Sequence, residues 1–221
     1  MWHETGHRAQ VTCVQQSPQS DIFAVGYVDG SVRLWSASSG TVNVVFNSHK
    51  KAVTVLTFDS TGSRLVSGSQ DTDLILWDVV GETGIVRSIS ALSSDSMVSS
   101  PSRLRGHRDQ ITGVRFLDIT SSHPSASSGK SNSFGYLVTC SKDTFLKVWD
   151  LSTAHCVQTT IAHHSEIWSL DLNLDGNIIF TGSGEGEVKA WKVNFEALES
   201  GMRETERGEV SVCVPYHPAV N

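Results

Sequence analysis

A histidine, a hydroxyl residue and an acid precede a tryptophan in the part of the chain that ends with "SGSQDTDLILWD". These residues are His49, Ser67, Asp71 and Trp77, in that order. Ser, His and Asp are the residue types of the nucleophilic triad in many hydrolases. No G-x-S-x-G elbow surrounds Ser67, and the set recurs elsewhere in the chain, so a structural role is favoured over catalysis.

The same set of residue types returns in two later stretches, one of which reads "TCSKDTFLKVWD". In each stretch the hydroxyl residue and the acid keep the same offsets from the Trp as Ser67 and Asp71 keep from Trp77. The two later sets are His107, Thr139, Asp143 and Trp149, then His163, Thr181, Glu185 and Trp191. One chain therefore contains the same local arrangement at least three times.

An earlier unit has the same landmarks with one exception. His7, Asp29 and Trp35 keep the spacing, but Val25 stands where the other units have a hydroxyl. The last unit differs in another way, because Glu185 replaces Asp and its longer side chain is expected to reach differently.

The interval from His7 to His49 gives the period of the repeat, and the later units keep it once two Ser-rich insertions are removed. These insertions lie at about 88–103 and about 119–134, and the units cover about 1–45, 46–87, 104–160 and 161–195. Runs such as "AVTVLTF" and "RLVSGS" are rich in β-branched residues and carry apolar side chains on both faces. This pattern predicts strands enclosed between neighbouring sheets.

A period of about 42 residues with Trp-Asp at its end is typical of WD40 repeats, in which four strands form one blade of a β-propeller. The sequence therefore predicts an all-β fold, a β-propeller with four recognisable blades that are part of a larger propeller. Resemblance to WD40 families implies that the acid holds the His, the His meets the hydroxyl, and the hydroxyl reaches the indole N–H. In the first unit, Val25 is expected to break this chain.

Charge and cysteine content narrow the functional classes. A formal net charge of −6 disfavours a broad nucleic-acid-binding surface. No apolar run is long enough to span a membrane, and the polar start "MWHETGHRAQ" does not resemble a secretory signal. The four cysteines form no C-x-x-C pair, so we expect no zinc site, no disulfide framework, no cofactor and a reducing compartment.

Two basic clusters interrupt this acidic background. "SRLRGHR" brings Arg103, Arg105 and Arg108 close together, and Lys50-Lys51 forms a smaller group. Solvated loop charges are the favoured interpretation, and a local anion-binding patch is the alternative.

Longer stretches resemble one eukaryotic family more closely than WD40 proteins in general. "MWHETGHRAQVTCV", "SGSQDTDLILWDVVGETG" and "KVWDLSTAHCVQTTIAHHSEIWSL" are similar to the N-terminal blades of the WD-repeat subunits of the UtpB subcomplex of the small-subunit processome. The resemblance covers about residues 1–195, except for the two insertions. Because that family is longer, with tandem propellers and a C-terminal helical region, this chain is expected to be a fragment. Residues 196–221 form a tail in which a strand at 210–214 is expected to complete the last blade.

The resemblance implies a non-enzymatic scaffold of the nucleolus, within the nucleus, that acts in pre-rRNA processing and small-subunit ribosome biogenesis. Its expected partners are the other protein subunits of a UtpB-like complex, with U3 snoRNA and pre-rRNA contacted through the assembly and no membrane involved. The alternative is a generic WD40 adaptor, such as a ubiquitin-ligase substrate receptor. Those receptors often carry Arg two residues after the WD tryptophan, where this chain has Ala37, Val79, Leu151 and Val193.

Propellers commonly bind partners through the loops that precede the first and third strands of each blade. The residues expected at this interaction face are Gln70, Gln110, Lys142, Glu166 and Trp168. Trp168 stands where the other units have Thr12, Thr54 and Thr112. Two interpretations of Trp168 remain open: it packs inside the blade, or it anchors an interface with a partner.

Overall fold

The computed structural model describes residues 9–80, 85–88, 102–117, 135–199 and 212–216. Seventeen strands and one short helix lie in these ranges. The chain divides into two compact units, Met1–Val114 and Arg115–Asn221. None of the helices in the described ranges is long and apolar enough to cross a membrane.

Antiparallel neighbours in chain order build the two sheets of the first unit. The first sheet has the order β1 (Val11–Gln16), β2 (Ile22–Tyr27), β3 (Ser31–Ser36) and β4 (Val42–Asn47). The second consists of β5 (Val53–Phe58), β6 (Arg64–Ser69), β7 (Leu74–Val80) and β8 (Ile85–Ser88), with β9 (Ser102–Leu104) also paired to β7.

Two further sheets follow, and the boundary between the units falls inside the first strand of the third sheet. That sheet has the order β10 (Ile111–Leu117), β11 (Tyr136–Ser141), β12 (Phe145–Asp150) and β13 (His155–Ile161). The fourth has β14 (Ile167–Leu172), β15 (Ile178–Ser183), β16 (Val188–Val193) and β17 (Cys213–Pro215), with helix α1 (Phe195–Glu199) between its last two strands. The predicted all-β architecture is confirmed.

Glycines on the second strand of a sheet allow close packing in the first unit. A Cβ on Gly26 would lie 2.8 Å from Val53 Cγ1, at the start of the next sheet. A Cβ on Gly68 would lie 2.7 Å from Ile111 Cγ2, at the start of β10. Both distances are too short for two carbon atoms, so only a residue without a side chain fits at these crossings.

The first Ser-rich insertion divides an outer strand. Trp77 of β7 pairs with Ser88, and the preceding residue, Leu76, pairs with Ser102. Thus β8 and β9 occupy consecutive positions along β7, and residues 89–101 are inserted between them. The predicted insertion of about 88–103 included Ser88, Ser102 and Arg103, but these three residues pair with β7 and are part of the blade.

The strand from the tail completes the fourth sheet. Val193 pairs with Cys213 and Trp191 with Pro215, so this strand lies slightly later than the expected 210–214. Gln158 of β13 holds its start, because Gln158 Oε1 accepts hydrogen bonds from the backbone N–H groups of Val212 and Cys213, at 2.6 and 3.0 Å. The second insertion, 119–134, lies outside the described residues.

Candidate functional site

The second sheet contains a continuous hydrogen-bond chain that starts at an indole and ends at a carboxylate. Trp77 Nε1 donates to Ser67 Oγ at 3.0 Å, and Ser67 Oγ lies 2.7 Å from His49 Nε2. His49 Nδ1 lies 3.1 Å from both oxygens of Asp71. Strand pairing explains the geometry, since β6 carries Ser67, β7 carries Trp77, and the turn between those strands carries Asp71.

One set of proton positions satisfies every member of this chain. The indole N–H donates to Ser67, the Ser67 hydroxyl donates to His49 Nε2, and His49 Nδ1–H donates to Asp71. Burial lowers the pKa of His49 below its ordinary value of 6.5, which favours this neutral ring. Burial by itself would raise the pKa of Asp71, but hydrogen bonds from the Lys50 backbone and contact with His49 outweigh it and lower that pKa.

The burial of this hydrogen-bond chain makes it unsuited to catalysis. Ser67 is fully buried, and its oxygen already accepts the indole N–H of Trp77. A nucleophile needs a free lone pair facing the substrate. The Ser–His–Asp set of this sheet therefore links strands together.

In the fourth sheet the hydrogen-bond chain ends at a different acid from the one expected. His163 Nε2 lies 2.8 Å from Thr181 Oγ1, which accepts the Trp191 indole N–H at 3.0 Å. His163 Nδ1 lies 2.9 Å from Glu187 Oε2, so Glu187 takes the place expected for Glu185. The assignment of Glu185 to this chain was wrong.

Side-chain length explains the exchange. Asp71 and Asp143 each accept the backbone N–H two residues later, at 3.1 Å, and these short contacts hold the carboxylate inside its turn. Glu185 is one methylene longer, and Gly184 and Gly186 flank it in the chain. Glu187 lies next to β16, from which its long side chain reaches the His163 ring. The spacing to Trp191 pointed to Glu185 alone, and the only sequence signal for Glu187 was a second acid two residues later.

The third and first sheets contain parts of the same arrangement. Trp149 Nε1 donates to Thr139 Oγ1 at 2.8 Å, and His107 is buried. In the first sheet Val25 replaces the hydroxyl, and the buried Trp35 Nε1 has no hydrogen-bond partner among the residues that the structure describes. His7 lies outside the described residues.

Three of the residues expected at the interaction face lie together in the second unit. Lys142 Nζ stands 3.9 Å from the ring centroid of Trp168, a cation–π distance, and 3.6 Å from Glu166 Oε2. Half of the Trp168 side chain is exposed, at 51%. A Cβ on Gly184 would lie 2.9 Å from Trp168 Nε1, so the glycine leaves room for the indole edge. The remaining two residues, Gln70 and Gln110, lie in the first unit, after β6 and before β10.

No metal site is apparent in the described ranges, where no three His, Cys, Asp or Glu side chains lie close enough to share an ion. All four cysteines are free thiols. Cys213 is buried, which raises its pKa to about 12 and keeps the thiol protonated.

Four-stranded antiparallel sheets in chain order, a regular internal repeat and buried His–hydroxyl–Trp chains together define a WD40-repeat β-propeller protein. A comparison with protein families gives the same class and narrows it. The chain belongs to the family described as the WDR3 first beta-propeller domain, whose model matches residues 1–193.

Similar curated proteins include several with named roles. U3 small nucleolar RNA-associated protein 12 of Saccharomyces cerevisiae is 38% identical over 200 residues, which cover 90% of this chain and 18% of that protein. This match confirms the resemblance stated from the sequence. The pre-rRNA-processing protein crb3/ipi3 of Schizosaccharomyces pombe is 28% identical over 80% of this chain and 36% of its own length. Nuclear distribution protein PAC1 of Arthroderma otae is 25% identical over 96% of this chain and 42% of its own length. The chain thus spans less than half the length of these relatives.

Proposed function

We propose that this chain is a scaffold for protein–protein assembly in a complex that processes pre-ribosomal RNA for the small ribosomal subunit. The observation that carries the proposal is the 38% identity to the yeast U3 small nucleolar RNA-associated protein 12 over 90% of the chain. A second relative named for pre-rRNA processing supports the same cellular process. The nucleolus is the proposed location, since pre-rRNA processing takes place there.

A scaffold role without catalysis agrees with the geometry of the repeated side chains. The set that resembles a hydrolytic triad is enclosed within its sheet, with Ser67 fully buried. Each such link contributes about 0.5–1.5 kcal/mol to folding. The polar residues at the loops, by contrast, are left for binding.

The proposed partners are other protein subunits of a UtpB-like complex, and U3 snoRNA and pre-rRNA join through the assembly. We place the principal anchor at Trp168, because an exposed aromatic ring held by Lys142, which Glu166 contacts in turn, loses little side-chain entropy on binding. Gln70 and Gln110 are proposed as further binding residues within the first unit. This surface accounts for a Trp in a position that is Thr in the other units.

The test is affinity purification of the tagged full-length protein from cells of the organism that naturally expresses it, scored by mass spectrometry and by U3 snoRNA content. The proposal expects other small-subunit processing proteins to be recovered together with the RNA. Trp168→Ala should reduce their recovery about tenfold, as expected for an interface anchor. Leu174→Ala is the matched control, because Leu174 is an exposed apolar residue of the same unit.

A generic WD40 adaptor is the second candidate, and the similarity to PAC1 over 96% of the chain favours it. Recovery of ubiquitin-ligase subunits or other unrelated partners, without pre-rRNA-processing proteins, would replace the first proposal with the second. Equal recovery with Trp168→Ala and with Leu174→Ala would remove Trp168 from the interface.

A further inference from the structure

Two arginines of the second sheet share a single carboxylate. Arg103 Nη1 lies 2.8 Å from Asp73 Oδ2, and its Nη2 donates to the backbone carbonyl of Ser48. Arg105 Nε lies 3.3 Å from Asp73 Oδ1, and 70% of the Arg105 side chain is exposed. The first guanidinium is therefore fixed in place, and the second presents most of its surface to solvent.

Two lysines come from a second segment that contacts the same turn through its backbone. The Lys50 backbone N–H donates to Asp71 Oδ2 at 2.8 Å, and Asp71 Oδ1 accepts the Asp73 N–H at 3.1 Å. The turn from Asp71 to Asp73 thus connects the lysines to the arginines. Both Lys50 and Lys51 are exposed. We call Lys50, Lys51, Arg103 and Arg105 the basic cluster.

The basic cluster is locally positive in an acidic chain. The turn beside it carries two carboxylates, and Asp71 is already committed to His49 and to two backbone N–H groups. Asp73 is divided between two guanidiniums, so it neutralises only one of them. Since the whole chain has a net charge of −6, this surplus is not part of a general positive field.

We propose that the basic cluster binds the phosphodiester backbone of RNA directly, as a contact additional to the association with U3 snoRNA and pre-rRNA through the assembly. Arg guanidiniums match phosphate oxygens in a bidentate geometry, and exposed Lys side chains add point charges that need no fixed register. The cations come from two separate segments that both contact the turn from Asp71 to Asp73, and two such segments suit a strand of successive phosphates better than a single phosphate group. The choice of RNA as the polyanion rests on the proposed function.

The test measures the affinity of the chain for a fluorescein-labelled oligouridylate of about 20 nucleotides by fluorescence anisotropy, at several salt concentrations. The triple variant Lys50→Gln, Lys51→Gln, Arg105→Gln should bind at least ~10-fold more weakly at low salt. Its salt dependence should also fall by roughly two units of log K per log salt, since each lost phosphate contact removes about 0.7.

Asp73→Asn provides a variant with the opposite expected sign. It removes a negative charge from the centre of the basic cluster and frees Arg105, so RNA affinity should rise severalfold. A purely structural role for these residues predicts weaker binding with both variants. The matched control is Arg115→Gln with Lys189→Gln and Lys192→Gln, which removes three positive charges from the second unit.

Three outcomes would overturn the inference. They are an unchanged affinity in the triple variant, an equal loss in the control variant, and displacement of the RNA by polyglutamate at an equal concentration of charge. The last of these would indicate an acidic protein segment as the partner. If the triple variant loses RNA in vitro but still recovers the processing proteins from cells, the inference and the proposed function both stand. If the processing proteins are absent for every variant, only the proposed function fails.

Discussion

Ser88 and Ser102 occupy consecutive positions opposite β7, although the whole segment 89–101 separates them in the chain. The corresponding point of the first sheet, between Leu34 and Trp35, is a β-bulge with a single extra residue on the outer strand. The third sheet has the same bulge, between Val148 and Trp149. The Ser-rich insertion therefore enters at a position where this repeat already tolerates an extra residue.

Deletion of residues 90–101 should leave the second sheet intact. The deletion retains one residue between Ser88 and Ser102, as in the bulges of the other sheets, and it removes the entropy cost of closing a long loop. We expect the free energy of unfolding to rise by about 1–2 kcal/mol, measured by urea denaturation. A deletion of equal length over 86–97 removes paired positions of β8 and should destabilise the protein. Destabilisation by the first deletion would refute this assignment of register.

Alanine substitutions should distinguish the contributions of Asp71, Glu185 and Glu187 to the stability of the fold. Asp71→Ala orphans the buried His49 Nδ1–H, so the free energy of unfolding should fall by about 1–3 kcal/mol. Glu187→Ala should have a smaller effect, because its carboxylate is exposed to solvent. Glu185→Ala serves as the control and should change the melting temperature by less than either. A larger effect for Glu185 than for Glu187 would restore the original assignment.

Removing the hydroxyl from one sheet and introducing it in another should change the free energy of unfolding in opposite directions. Thr139→Val leaves the buried Trp149 indole N–H without its acceptor and should cost about 1–3 kcal/mol. Val25→Thr supplies an acceptor to Trp35 Nε1 and should add about 0.5–1 kcal/mol. Both values come from thermal unfolding followed by circular dichroism. Similar losses of stability for the two variants would show that side-chain volume, and not hydrogen bonding, determines stability at this position.

Stability should fall on mild acidification because of His49. Its pKa in the folded chain lies below the ordinary value of 6.5. The unfolded chain therefore binds a proton that the folded chain rejects, and stability is lost as the pH falls through 6.5 towards the lowered folded pKa. Asp71 adds a further loss only below about pH 3.8, because its pKa is also lowered on folding.

Urea denaturation between about pH 7.5 and 5.5 measures this dependence. His49→Gln should flatten the curve. His164→Gln, at an exposed histidine next to the fourth hydrogen-bond chain, is the matched control. An identical slope for the His49 variant and the unaltered chain would exclude His49 as the source.

The sequence alone was sufficient for the blades and for the hydroxyl–indole pairs of the second, third and fourth sheets. In an antiparallel pair, a residue and the diagonal neighbour of its partner lie on the same face of the sheet. Ser67 pairs with Ile75 and Leu65 pairs with Trp77, so the spacing between Ser67 and Trp77 already places hydroxyl and indole side by side. The same reasoning placed Thr139 beside Trp149 and Thr181 beside Trp191. It also identified Val25 as the exception in the first sheet.

Contacts between segments that are distant in the chain required the tertiary structure. No local spacing in the sequence predicts three of these contacts. They are the ion pair of Arg103 with Asp73, the continuation of β8 into β9, and the hydrogen bond between Gln158 and Cys213. Glu187 replaced Glu185 because the reach of a long side chain depends on where the His163 ring lies in space. What repeats from one unit to the next was determined by the sequence through local strand geometry. Apart from Val25 and the two insertions, what differs from blade to blade was decided only on folding, when strands brought together residues that the sequence separates.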